Sequence, residues 1–140
     1  MHRTLAEAIE GIARGARESS RPEDRKLATD YLAVLAPLLA SAILGKDILR
    51  ELPAVERLFG HTWLTDDSPF REGLGKWRQF REEYETWVLS SMTVNERLFA
   101  LGTLESFDRA RAAGDKDALE RFLREAHVDS PSIRKILKDL

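Results

Sequence analysis

Only three histidines, His2, His61 and His127, occur in 140 residues. Metal binding needs several ligands that converge. The chain has no HExxH, no Glu-x-x-His spacing and no Cys, so thiolate sites, thiol nucleophiles and disulfides are excluded together. Ligand types gather only in Gly60-His61-Thr62-Trp63-Leu64-Thr65-Asp66-Asp67-Ser68-Pro69-Phe70. His61 with Asp66 and Asp67 could form a site rich in oxygen and nitrogen. Asp66 or Ser68 capping a helix led by Pro69 accounts for the same residues without a metal, and no metal or other cofactor is expected.

Other chemistries fare no better. Glu82, Glu83 and Glu85 could pair as acid and base, but they fall opposite an aromatic helix face and read as a solvated surface. Ser90-Ser91 lacks the glycines of a nucleophile elbow. Gly73-Leu74-Gly75-Lys76 shares Gly and Lys with phosphate-cradling loops without their spacing or a preceding strand. Recognition is therefore the stronger class. Its candidate anchors are His61, Trp63, Asp66 and Asp67 in the loop, and Asn95, Arg97, Phe99 and Phe107 further on, because interfaces favour aromatic and Arg side chains.

The elements that must position these residues are helical from end to end. Thr4 with Glu7, Ser20 with Glu23, and Thr93 with Glu96 each show the capping-box spacing. They predict helices over about 5–17, from about 21 into the apolar run Tyr31–Leu44, and from Val94 to about Ala112. Pro37 lies inside the apolar run, so a kink or break is expected near Ala36, with a stop at Gly45. Asp47 is expected to cap a short helix through Leu52, and Pro53 to open another turn or two ending at Gly60. Beyond Gly75, the residues Trp77, Phe80, Tyr84, Trp87 and Val88 fall within an arc of about 100°, one helix face.

In the helix that starts at Val94, the residues Val94, Leu98, Leu101 and Leu104 lie on one side and Phe99, Phe107 and Ala110 nearly opposite. A helix apolar on two sides is either central to a bundle or keeps one side for a second surface. Gly114 stops it, Asp115 caps a helix presenting Leu119, Phe122, Leu123 and Ala126, and Ser130-Pro131 opens a last one. No alternating pattern or Asn-Gly hairpin signal appears. The expected fold is all-α, a single-domain antiparallel bundle of six to seven helices with a modular boundary near 90–93.

Lys and Arg total 22 against 24 Asp and Glu, without a basic stripe to neutralise phosphates, which argues against nucleic acid. Tyr31–Leu44 reads as too short to span a bilayer. The amino terminus lacks an apolar signal core, so a cytoplasmic setting away from membranes is expected.

The run Met92-Thr93-Val94-Asn95-Glu96-Arg97-Leu98-Phe99, with Gly102, Phe107-Asp108, Ala110, Asp115 and Leu119, resembles a family of short uncharacterised bacterial proteins. That family opens with M-[TS]-V-N-E-R-L-F, followed by G-L-x-x-x-F-D-x-A. The resemblance covers about a third of the chain, with Thr103 standing where the family has Leu, and it implies no catalytic residues. Together these features lead us to expect a non-enzymatic bacterial protein that binds and masks a protein partner, in the manner of an immunity protein, antitoxin or adaptor. The alternative is a helical-bundle enzyme or small-ligand binder with a pocket near the 60–70 loop, lined by Trp77 and Tyr84. A homodimer through Phe99 and Phe107 is a further expectation.

Overall fold

The computed structural model describes residues 1–60 and 70–140. The expected loop residues His61, Trp63, Asp66 and Asp67 lie outside the described residues. The fold is all-α, with eight helices and no strand among the described residues. In order these are α1 (His2–Glu18), α2 (Pro22–Ile43), α3 (Leu52–Gly60), α4 (Arg71–Leu89), α5 (Val94–Ala100), α6 (Leu104–Ala113), α7 (Lys116–Glu125) and α8 (Ser130–Asp139).

The eighth helix arises at a single corner. The expected helix from Val94 to Ala112 is broken at Leu101-Gly102-Thr103, where Gly102 adopts φ +70. Its N–H donates to Phe99 O (3.0 Å) and that of Thr103 to Leu98 O (2.9 Å), closing α5 in the manner of a glycine C-cap. Such a φ costs an L-residue about 1 kcal/mol or more, and glycine adopts it without that cost.

The contacts divide the chain into two compact units, Met1–Tyr84 and Glu85–Leu140, a division that falls inside α4. In the first unit α1 and α4 run antiparallel, because their contacts pair Thr4 with Glu83, Glu7 with Lys76, Gly11 with Gly73 and Arg14 with Glu72. The two helices touch backbone to backbone at the glycines: a Cβ on Gly11 would lie 2.7 Å from Gly73 Cα. An aromatic ladder, Tyr31–Phe59–Trp77–Phe80–Tyr84, with centroids 4.5 to 5.9 Å apart, ties α2, α3 and α4 together. These rings are tilted against one another, which favours edge-to-face attraction.

Helix α2 continues without a break through Pro37. Pro37 and Ala33, whose carbonyl it leaves without an in-helix donor, both lie on the exposed side, where solvent can satisfy that oxygen. Asp47 accepts from Leu49 N–H (2.9 Å) and so caps a turn rather than the short helix expected there.

The cap expected at Thr4 is absent, because α1 already starts at His2. Thr4 instead donates to Glu83 (3.0 Å), while Lys76 and Arg3 hold Glu7. Ser20 and Glu23 do not cap α2 either. No side chain caps α2 at its N-cap residue Arg21; Ser19 Oγ, just before it, accepts from Arg21 N–H (3.1 Å) and donates to the buried Asp24 (2.7 Å).

The second unit has its own core of Leu98, Phe107, Ala110, Ala118, Leu119, Leu123, Ala126, Val128 and Ile133. Two of its caps, at Thr93 and Asp115, read as the sequence predicts, whereas Asp129 rather than Ser130 caps the last helix. Thr93 and Glu96 form a complete capping box, and Asp115 accepts from Ala118 N–H (3.0 Å). The last helix is capped by Asp129 through Ser132 N–H (3.0 Å), with Ser130 and Pro131 filling its first turn.

Candidate functional site

Among the described residues, the expected anchors Asn95, Arg97, Phe99 and Phe107 differ in burial. Phe99 is exposed (64%) and Phe107 is buried (6%). The opposed face inferred for them assumed one continuous helix, and the Gly102 corner resets its phase, so Phe107 turns into the core. Arg97 is occupied structurally. Its Nε donates to Met92 O (3.0 Å) just before α5, and its Nη1 to His127 O (2.9 Å), a carbonyl just past the end of α7. Asn95 is exposed on the first turn of α5.

The aromatic stripe of α4 also needs one correction. Trp77, Phe80 and Tyr84 are core residues, but Trp87 is 62% exposed. The buried rings are closed off by polar partners. Trp77 Nε1 donates to Glu56 (2.7 Å), and Tyr84 Oη accepts from Ile48 N–H (3.1 Å) and donates to Asp47 (3.3 Å). Burial pushes the Tyr84 phenol above its ordinary pKa. The loop over which the alternative pocket was expected lies outside the described residues.

Among the described residues no group of three or more His, Cys, Asp and Glu is placed to hold a metal ion. One arrangement has catalytic chemistry in outline: His127 Nε2 lies 3.2 Å from Glu85 and Nδ1 lies 3.4 Å from the Thr86 hydroxyl. An acid, an imidazole and a hydroxyl in that order could activate an oxygen nucleophile. Thr86, however, lies within α4, where the neighbouring amides are engaged in the helix ladder, so the backbone beside it offers an oxyanion no donors. Gly73–Lys76 likewise lies within α4 and forms no phosphate-cradling loop.

What the sequence reading missed is on α2. By length and composition this helix could cross a bilayer, yet it packs its Ala28, Tyr31, Leu35, Leu38 and Ala42 side into the first unit. Its other side is also apolar and is exposed: Val34 (41%), Ala36, Pro37, Ala40, Ile43 (63%) and Leu44 (71%). Between α2 and the segment leading into α3 runs a groove of about 390 Å³, lined by Val34, Pro37, Leu38, Ser41, Ile48, Arg50, Glu51, Ala54 and Val55. The sequence carries only an apolar run too uniform for one face, which does not say which face stays open.

Fold and surface together define an all-α protein with an apolar groove open on one helix pair. No protein-family model, no curated protein and no solved structure matches the chain.

Proposed function

We propose that this chain is a non-enzymatic bacterial protein-binding protein that masks or inhibits a protein partner, as an immunity protein, antitoxin or adaptor does. The observation that carries the reading is the exposed apolar side of α2 with its adjoining groove. A continuous apolar strip on a small domain marks a surface meant to be covered, since scattered exposed residues would do without alignment. Its lining offers shape and hydrophobicity but no converging acids, bases or nucleophiles, which suits recognition rather than turnover. The bacterial setting rests on the resemblance of residues 92–123.

The test is co-purification from the native host with the chain as bait, beside a Val34→Asp/Ile43→Asp variant. Both positions are exposed, so the variant keeps its helical circular dichroism. A protein retained by the first bait and lost from the second supports the reading. A monodisperse bait that holds no protein even at low salt, or one whose partner survives both substitutions, refutes it.

A further inference from the structure

The groove between α2 and α3 has an asymmetric lining. Its floor is aliphatic: Val34, Pro37 and Leu38 from α2 meet Ile48, Ala54 and Val55 across it. Its charged groups, Arg50 and Glu51, are adjacent, in the turn that leads into α3. Among the described residues Arg50 makes no salt bridge, and its side chain is exposed.

The chemistry of such a floor selects the backbone form of whatever covers it. An extended segment would bring a row of N–H and C=O groups against aliphatic carbon, where an unpaired polar group costs about 1–3 kcal/mol. No strand edge exists among the described residues to receive them. A helix satisfies its own backbone and can lay bare side chains on such a floor. From Val34 to Ser41 the groove follows two turns of α2, about 10 Å at 1.5 Å per residue, the span of three anchors at i, i+3 or i+4, and i+7. Arg50 adds a charge preference at the groove margin, and Glu51 beside it disfavours a run of acids there.

Resting on the protein-binding reading, we infer that the groove takes one amphipathic helix of the partner, with three aliphatic or aromatic anchors in the floor and a single carboxylate against Arg50. The guanidinium can take such a carboxylate in a two-pronged hydrogen bond, which a Lys at this position would not reproduce.

Photo-crosslinking tests this with a benzophenone amino acid at the exposed position 34, irradiated in cells of the native host, the adduct being mapped by mass spectrometry. The expected adduct falls in a partner segment with apolar residues at i, i+3 or i+4, and i+7 and one Asp or Glu within a turn of them. In an Arg50→Glu background its yield falls at least about tenfold, and changing that partner acid to Lys restores it. An adduct in a segment without this pattern, or one indifferent to both charge changes, overturns the helix-and-acid inference and leaves the protein-binding reading standing. An adduct with a second copy of this chain overturns the inference as well. Adducts with lipid alone, or with nothing, overturn both.

Discussion

Three glycines in the first unit should respond to the same substitution with opposite signs. Gly11 and Gly73 meet where α1 crosses α4, and Gly75 lies two residues further along α4, on another face, with nothing within 4 Å of the Cβ it lacks. In Gly75→Ala the added methyl meets only solvent, so the gain is the helix propensity of Ala over Gly, about 1 kcal/mol. In Gly11→Ala that gain is still present, but the new Cβ would lie 2.7 Å from Gly73 Cα and 2.8 Å from its nitrogen. Both are backbone atoms and neither can rotate away, so the helices must separate by about 1 Å, loosening contacts along their whole crossing. Overpacking of this kind costs about 1–3 kcal/mol, leaving Gly11→Ala destabilised by roughly 1 kcal/mol after the propensity gain. Gly73→Ala meets Ile12 N at 2.7 Å and behaves alike. The double variant should cost less than the sum, because one separation relieves both clashes. Urea unfolding followed by far-ultraviolet circular dichroism gives the three values. If Gly11→Ala proves as stabilising as Gly75→Ala, the close crossing of α1 on α4 is wrong.

Further outcomes follow from the same geometry. Phe99→Asp should leave secondary structure and stability nearly unchanged, whereas Phe107→Asp buries a charge in the second core and should melt α5–α8; circular dichroism of the two variants separates them. A concentration-dependent mass for the wild type that Phe99→Asp abolishes would revive a homodimer through Phe99 alone. Tyr84→Phe removes the acceptor of the buried Ile48 N–H and should cost about 1–3 kcal/mol in urea unfolding. Hydrogen bonds from the Thr93 backbone and hydroxyl hold the Glu96 carboxyl below its ordinary pKa, and those from Ser132 do the same for Asp129. A folded-state pKa lowered in this way contributes stability that is complete above the unfolded value and fades as pH falls through the folded one. Stability should therefore decline from about pH 4.3 downward, less steeply in Glu96→Gln; equal slopes would count against the capping box as its source.

What the sequence disclosed was local. Thr93 with Glu96, Asp115 and Gly114 are read correctly because their partners lie within four residues and nothing distant competes for them. The same spacing misled at Thr4 and Glu7, where α4 supplies Glu83 and Lys76 as partners that no local rule can foresee. A glycine within a helix costs only about 1 kcal/mol, so the helical pattern runs on through Gly102 and puts Phe107 on the wrong face. The exposed side of α2 was illegible for another reason: where nearly every residue of Tyr31–Leu44 is apolar, periodicity cannot tell the covered face from the open one.

The antiparallel pairing of α1 with α4 also governs the order in which the chain acquires its structure. Thr4 and Glu83 are 79 residues apart, while Arg97 reaches His127 across 30, and the neighbouring helices of the second unit meet over shorter spans still. Closing the longer loop costs more chain entropy, and contacts of large sequence separation slow folding. We expect the Glu85–Leu140 unit to gain its helices' protection from hydrogen exchange first and the α1–α4 crossing to close late. Gly11→Ala would then speed unfolding more than it slows refolding, and a stopped-flow chevron in which the folding arm moves instead would reverse that order.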